Sequence, residues 1–133
     1  MRLLLDTQIY IWYATTSPLL KGDLYRVINN PDNTIYLSQI SLFEIAIKQK
    51  IGKLPTVPFP IPQVAQMASR FGFTLLPITT AHIAAYDRLP LLPEHRDPFD
   101  RLLLSTALAE DMPIVSADEH FPRYAPLVSV IES

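Results

Sequence analysis

The chain has 133 residues and a formal net charge of -2, and 49% of its residues are hydrophobic while 18% are charged. These values predict one domain with a buried core, and they exclude a disordered chain and a strongly basic nucleic-acid binder. The lack of cysteine excludes disulfides and cysteine zinc sites, and the three scattered glycines exclude the glycine-rich loops that cradle nucleotide phosphates.

The first part of the chain alternates short apolar runs with helical segments. "RLLL" at 2–5 predicts a buried strand that stops at Asp6, and "TQIYIWYATT" predicts the helix that follows it. The next helix, in "SPLLKGDLYRVINN", is expected to begin with Ser17 as its cap and Pro18 at its first position. The β-branched and aromatic run "TIYLS" at 34–38 predicts a second strand.

The middle of the chain begins with a helix in "SLFEIAIKQKIGKL". Ser41 and Glu44 have the spacing of a capping box at the start of this helix, and Gly52 is expected to end it. The proline-dense stretch 55–62 predicts a stiff, extended loop. "QVAQMASRFG" predicts a short helix that ends at Gly72.

The remainder repeats the same alternation of strands and helices. "TAHIAAYDRL" and "DPFDRLLLSTALAED" predict helices, separated by the loop "PLLPEHR". Three further strands are expected at 73–78, 112–116 and 126–132. Strands alternating with helices predict an α/β fold with a mainly parallel sheet of four to five strands, in a single domain over residues 1–133.

The N-terminal segment does not have the pattern of a targeting or membrane-spanning sequence. Its apolar run is short and is interrupted by Asp6 and Gln8, so we expect neither a signal peptide nor a membrane span. A soluble cytoplasmic protein is therefore expected.

Five of the thirteen carboxylates lie beside apolar segments or at helix starts, namely Asp6, Glu44, Asp97, Asp100 and Asp118. Asp6 and Asp118 each follow a predicted strand, and Glu44 is expected in the first helical turn after another. Because the carboxyl ends of parallel strands share one edge, and ligands bind in the crevice outside it, these side chains are expected to meet there.

Each of these acids also has a local structural explanation. Asp6 can cap the next helix, Glu44 can complete a capping box, and Asp97 and Asp100 can cap and charge a helix start. The local sequence does not separate capping from metal binding, but four acids at one edge would repel one another strongly without a cation. Carboxylates suit Mg²⁺ or Mn²⁺, ions that activate water for attack on a phosphodiester. We therefore expect Asp97 to cap the helix and Asp100 to bind metal.

Other site classes find little support in the sequence. The three histidines are expected on the surface or in packing roles, and neither HExxH nor GxSxG occurs. Gln8 stands where a DxD phosphatase needs its second acid, and no lysine follows Lys53, as a phosphoacceptor receiver domain would require.

Several segments together resemble a PIN domain of the VapC type, the toxin of type II toxin–antitoxin systems. They include "LLLDTQIYIWY", "SQISLFEIAIKQKIGKL" and "HRDPFDRLLLSTALAEDMPIVSAD", in the right order over nearly the whole chain, and they most resemble the subgroup marked by "HRDPFDRLL". The resemblance implies a PIN-like three-layer α/β/α sandwich and a Mg²⁺- or Mn²⁺-dependent endoribonuclease. It also implies an RNA substrate, a VapB-like antitoxin partner and a homodimer.

The resemblance also implies a set of site residues. The metal-binding and catalytic acids are Asp6, Glu44, Asp100 and Asp118, and the polar neighbours of the metal are Thr7 and Ser116. Asp97 is particular to the subgroup and lies beside them. Candidate RNA-binding residues are Lys48, Lys50, Lys53, Arg96 and Arg101, although the lysines also suit a solvated helix end.

Two further points follow from the sequence. The run Ile9, Ile11, Trp12 and Tyr13 has more apolar residues than one buried helix face needs, so some of them are expected to face a partner. The alternative function is a catalytically silent PIN fold that binds RNA or protein.

Overall fold

The computed structural model describes residues 1–132. Five strands form one sheet in the order β3-β2-β1-β4-β5, and every neighbouring pair is parallel. The strands are β1 (Arg2–Leu5), β2 (Thr34–Ser38), β3 (Thr74–Leu76), β4 (Ile114–Ser116) and β5 (Val130–Glu132). This confirms the α/β class and all five predicted strands. The strand order reverses between β1 and β4, which is where ligand sites lie in open parallel sheets.

Six α-helices connect and cover these strands in the described part of the chain. They are α1 (Thr7–Ala14), α2 (Gly22–Asn29), α3 (Gln39–Lys50), α4 (Ile61–Arg70), α5 (Thr80–Ala84) and α6 (Pro98–Glu110). Short 3-10 turns span Ala85–Arg88 and Phe121–Tyr124. None of the helices within residues 1–132 has the length and apolar character needed to span a membrane.

The core lies on both faces of the sheet. Leu3 and Leu5 of β1 pack into one cluster with residues of α1, α2, α3 and α4, whereas Leu4 packs into a second cluster with α6 and the turn at Phe121–Tyr124. Because side chains alternate along a strand, one central strand supplies both cores. The layers are therefore helix, sheet and helix, which confirms the expected three-layer sandwich.

Two predicted helix starts are wrong. The helix expected at Ser17 and Pro18 begins at Gly22, and the Ser17 hydroxyl instead accepts a hydrogen bond from the Leu19 amide over 3.1 Å in a turn. Serine followed by proline is also a turn signal, and here the turn prevails. Helix α3 begins at Gln39, because Ser38 both ends β2 and caps the helix by accepting from the Ile40 amide.

The early start of α3 changes the position of Glu44. Ser41 is buried inside the helix, so the predicted capping box between Ser41 and Glu44 does not form. Glu44 lies in the second helical turn rather than the first. The helix ends near Gly52, whose φ of +74° is the left-handed conformation that favours glycine, as the sequence predicts.

Helix α1 is more completely enclosed than its sequence suggests. Ile9, Tyr10 and Ile11 are all buried in the core of this chain, and the Tyr10 hydroxyl donates to the Val64 carbonyl over 2.9 Å. Trp12 and Tyr13 are only half-buried, so the expectation that some of the four apolar residues face a partner stays a prediction. A helix that packs against several neighbouring elements buries more than one face, which accounts for the burial of Ile9 and Ile11 within one chain.

Candidate metal centre

A cleft of about 320 Å³ at the carboxyl edge of the sheet contains the five candidate acids. Asp6 follows β1 and Asp118 follows β4, the two strands at which the strand order reverses. Helices α3 and α6 bring the other three to the same cleft, and the lining acids are Asp6, Glu44, Asp97, Asp100 and Asp118. The structure thus brings together the acids that the sequence singles out.

Asp6 is the most enclosed of these acids. Its side chain accepts a hydrogen bond from the Ser116 hydroxyl over 2.8 Å, and Ser116 in turn accepts from the Asp118 amide over 3.0 Å. Burial raises the pKa of Asp6 to about 7; the Ser116 hydrogen bond opposes this shift, and the charges of Asp100, Glu44 and Asp118 add to it. A cation in the cleft would reverse the penalty and favour the ionised carboxylate.

The two aspartates of "DPFD" have different surroundings. Asp97 is the N-cap of α6, since its Oδ1 accepts from the amides of Phe99 (2.8 Å) and Asp100 (3.1 Å), which confirms the predicted cap. Asp100 is one turn further, with Oδ2 3.1 Å from His95 Nε2. Burial raises the pKa of Asp100 to about 6, against the His95 hydrogen bond and with the charges of Asp97 and Asp118 adding to it.

Glu44 supplies the test of whether these residues fit a metal ion. Its Oε2 lies 3.4 Å from Lys48 Nζ, whereas its Oε1 is buried and has no hydrogen-bond partner within the described residues. A buried carboxylate oxygen without a donor is costly, and a cation offsets the cost. Together with the oxygen-rich donor set of the cleft, this orphaned oxygen fits a hard divalent ion.

The predicted polar neighbours separate into two kinds. Ser116 lies between Asp6 and Asp118 and bonds to both. The Thr7 hydroxyl instead pairs with the Ser41 hydroxyl over 2.8 Å, which joins α1 to α3. Thr7 therefore contributes to the packing around the cleft, while Ser116 contacts the acids directly.

The histidines are expected on the surface or in packing roles rather than as ligands, and in the structure two of them lie beside the acids. Ligand atoms of His95, Asp100 and Asp118 lie within 4.8 Å of one another. The His95 and His120 rings stack with centroids 5.2 Å apart, and His120 Nδ1 lies 3.1 Å from Asp118 Oδ1. The signal in the sequence was proximity, because each histidine stands within five residues of the acid it contacts.

His82 does have the expected packing role. It is fully buried, and its Nε2 lies 2.7 Å from a carboxylate oxygen of Glu110, at the opposite end of α6 from the acids.

The basic residues differ in what they can reach. Lys48 lines the acidic cleft, whereas Lys50 and Lys53 are exposed at the end of α3 and Arg96 is exposed just before α6. The predicted RNA contact of Arg101 is wrong, because this residue is only 2% exposed. Successive residues of a helix are rotated by about 100°, so Arg101 faces the interior when Asp100 faces the cleft.

The fold and the cleft define an α/β protein with an acidic site suited to a hard divalent cation at the switch point of a parallel sheet. The sequence matches the PIN domain family over residues 3–127. The chain therefore belongs to the PIN domain family.

Solved structures of VapBC complexes share this fold. A chain of VapBC2 from Rickettsia felis, bound to a promoter DNA fragment, is 21% identical with a TM-score of 0.71, covering 100% of this chain and 99% of that one. A chain of DNA-bound VapBC from Salmonella typhimurium is 17% identical with a TM-score of 0.69, covering 99% of this chain and 98% of that one. A chain of VapBC-5 from Mycobacterium tuberculosis is 17% identical with a TM-score of 0.63, covering 99% of this chain and 98% of that one. No curated protein sequence matches the chain.

Proposed function

We propose that this protein is a Mg²⁺- or Mn²⁺-dependent endoribonuclease of the VapC type, the toxin of a toxin–antitoxin pair. The observation that carries the proposal is the acidic cleft, which is lined by mutually repelling carboxylates and by Glu44, whose buried Oε1 has no donor among residues 1–132. PIN domains are typically nucleases that use divalent metals, and the family membership of the chain supports the same chemistry.

Some side chains of the cleft would bind the metal ion, and another holds a binding carboxylate in its orientation. Asp6, Asp100 and Asp118 would hold one ion, and Glu44 would add its free oxygen directly or through water. When bound, the ion supplies an activated water and offsets charge on the scissile phosphodiester. Ser116 holds the Asp6 carboxylate in place through its hydroxyl.

The rim of the cleft offers contacts for RNA. Lys48 and the half-buried Trp12 both line it, so a phosphate and a base have a cation and an aromatic face within reach of the acids. Lys50, Lys53 and Arg96 extend the positive charge outward from the two helices that carry Glu44 and Asp100. Backbone contacts of this kind position an RNA strand without reading its sequence.

The partners in this proposal are a VapB-like antitoxin and a second copy of the chain. Three of the solved structures with this fold are VapBC toxin–antitoxin structures, which supports an antitoxin partner. An apolar cavity of about 310 Å³ lies between α1, α3 and α4 and is lined in part by Tyr10, Phe59 and Met67. It can receive an apolar side chain of the antitoxin. A toxin that cleaves cellular RNA acts in the cytoplasm.

The proposal is tested by incubating the purified chain with structured RNAs and Mg²⁺ or Mn²⁺. We expect cleavage that EDTA abolishes and that Asp100→Asn reduces by at least about a hundredfold, since it removes a ligand charge. Asp111→Asn is the matched control, because Asp111 is exposed at the other end of α6 and asparagine tolerates its left-handed backbone. Full activity of Asp100→Asn refutes the assignment, and RNA binding without metal-dependent cleavage indicates the silent binding module.

A further inference from the structure

Three buried side chains form a hydrogen-bonded chain that leads to Asp100. Arg101 Nη1 lies 2.8 Å from the Tyr124 hydroxyl, which lies 2.8 Å from His95 Nδ1, and His95 Nε2 lies 3.1 Å from Asp100 Oδ2. Arg101, Tyr124 and His95 are 2%, 1% and 5% exposed. They come from α6, from the 3-10 turn at Phe121–Tyr124 and from the loop before α6, so tertiary packing brings these hydrogen-bonded side chains together.

The chemistry of the groups determines where each proton lies. A guanidinium only donates, so the Tyr124 oxygen accepts from Arg101. The Tyr124 proton then has His95 Nδ1 as its acceptor, the only other partner of this hydroxyl among residues 1–132. With Nδ1 accepting, a neutral His95 ring must carry its proton on Nε2, and Nε2 donates to the carboxylate of Asp100.

We propose that Arg101, Tyr124 and His95 are positioning residues that fix the orientation of the Asp100 carboxylate. This inference rests on the proposed metal-binding role of Asp100. Hydrogen bonds to a ligand carboxylate commonly change metal affinity, because they decide which oxygen faces the ion. Oδ2 is held by His95, and no hydrogen bond from the described residues engages Oδ1, so Oδ1 is presented to the cleft.

Because its Nε2 donates to Asp100, His95 is not expected to be a metal ligand itself. Its Nε2 lies close enough to Asp100 and Asp118 to look like a third metal ligand. A ring nitrogen that carries a proton has no lone pair for a metal, however. A bound ion would therefore be held by carboxylates, with His95 acting through Asp100.

Further contacts hold the Arg101 and His95 side chains in place. Arg101 Nε donates to the Tyr86 hydroxyl over 3.0 Å, Nη1 also donates to the Pro90 carbonyl over 3.0 Å, and the guanidinium lies 4.9 Å from the Tyr86 ring centroid. The His120 ring is parallel to that of His95 within 2° and covers one of its faces. Arg101 has no carboxylate partner among residues 1–132, and neutral acceptors and aromatic rings stabilise its buried charge.

The first test is the protonation of His95 in the wild-type protein, read from long-range ¹⁵N–¹H NMR spectra. We expect a proton on Nε2 both without metal and with Mg²⁺. His82 is an internal reference, because the Thr79 amide donates to its Nδ1 over 3.1 Å and leaves its proton on Nε2. A proton on His95 Nδ1, or loss of the Nε2 proton when Mg²⁺ is added, overturns the proposal.

The second test compares two tyrosine variants by Mn²⁺ binding, measured by electron paramagnetic resonance. Tyr124→Phe removes the hydroxyl between Arg101 and His95, and we expect Mn²⁺ affinity to fall about tenfold. Tyr13→Phe removes a hydroxyl that donates to Asn29 in the other core layer of the fold, away from Arg101 and His95, and it should keep the wild-type affinity. Equal affinities in the two variants overturn the proposal.

A third pair of variants separates positioning from packing. Gln at position 95 retains a donor near the place of Nε2, so His95→Gln should bind Mn²⁺ more tightly than His95→Leu, which removes the donor. Equal binding by the pair contradicts the positioning role. A wild-type protein that binds no Mn²⁺ refutes the proposed function, whereas the His95 proton in the metal-free protein tests the hydrogen-bonded chain separately.

Discussion

The Ser116 hydroxyl donates a hydrogen bond to Asp6 Oδ2 over 2.8 Å, joining the ends of the two central strands β1 and β4 at the acidic cleft. This bond opposes the effect of burial, which raises the pKa of Asp6 to about 7. Ser116 therefore helps to keep Asp6 ionised and available to a cation near neutral pH.

Removal of this hydroxyl should shift metal binding to higher pH. In Ser116→Ala the pKa of Asp6 rises further, so more of the Asp6 carboxyl is protonated at pH 7 and Mn²⁺ affinity falls by roughly three- to tenfold. The measurement is Mn²⁺ titration between pH 6 and 9. The control is Ser105→Ala, because Ser105 is a buried serine in α6 whose hydroxyl donates to the His82 carbonyl. An unchanged pH profile in Ser116→Ala would contradict this role.

The metal-free protein should become more stable when Asp6 can no longer ionise. The pKa of Asp6 is about 7 when folded, against an ordinary value of 3.8, so the folded state binds more protons between these limits. Stability therefore falls as pH rises through that window, and Asp6→Asn, which carries no charge, avoids the loss. At pH 8 in EDTA the variant should exceed the wild type by on the order of 3 kcal/mol, and near pH 4 the difference should vanish.

Urea denaturation at the two pH values measures this difference. Asp111→Asn again serves as the control, since its exposed side chain should change the free energy of unfolding little at either pH. A gain for Asp6→Asn that is the same at both pH values would show that desolvation of its charge is not the cause.

Divalent ions should stabilise the wild-type protein in a pH-dependent manner. An ion that binds only the folded state adds about 2.7 kcal/mol at a hundred times its Kd. Because the pKa values of Asp6 and Asp100 are raised to about 7 and about 6, ion binding must displace protons below neutrality. Mn²⁺ should therefore raise the Tm clearly at pH 8 and little at pH 5, and it should have a much smaller effect on Asp100→Asn. A rise of equal size at both pH values would place the ion elsewhere.

The convergence of the acids followed from the sequence, whereas the identity of their supports did not. Asp6 and Asp118 come directly after strands, and parallel pairing is sufficient to bring those positions to one edge. His95 lies in a loop, so its direction depends on tertiary contacts with Tyr124 and His120 that no local pattern records. From the sequence, Arg101 is expected to be an exposed cation beside an acid, but the rotation between successive helical residues places it in the interior.

The helix boundaries illustrate the same limit. Ser41 and Glu44 have the spacing of a capping box, but Ser38 caps the helix one turn earlier, because β2 passes into α3 without a loop. Glu44 reaches the cleft nonetheless, since one turn of helix moves it along the axis without changing its face. The error in the boundary therefore left the site prediction intact.

A separate prediction concerns the stability of the fold away from the cleft. Glu110 accepts from the fully buried His82 over 2.7 Å and from Arg2 over 2.8 Å, and these hydrogen bonds lower its pKa. A lowered pKa contributes stability above the ordinary value of 4.5 that is lost as pH falls through the folded value. Glu110→Gln should therefore lose about 1–2 kcal/mol at pH 7 and less at pH 4 by urea denaturation. Its Mn²⁺ affinity should match the wild type, and a weakened affinity would contradict the separation of this network from the cleft.

Lys48 should contribute to RNA binding rather than to metal binding. Its Nζ lies 3.4 Å from Glu44 Oε2 at the rim of the cleft, where a phosphate of a bound strand would pass. In an Asp100→Asn background, which prevents cleavage, Lys48→Ala should weaken RNA binding and reduce the slope of log affinity against log salt by about one. Lys21→Ala, at the exposed start of α2, removes the same charge from a residue that does not line the cleft and should leave the slope unchanged. Equal slopes in the two variants would show that RNA does not contact Lys48, and the proposed path of the strand along α3 would have to be abandoned.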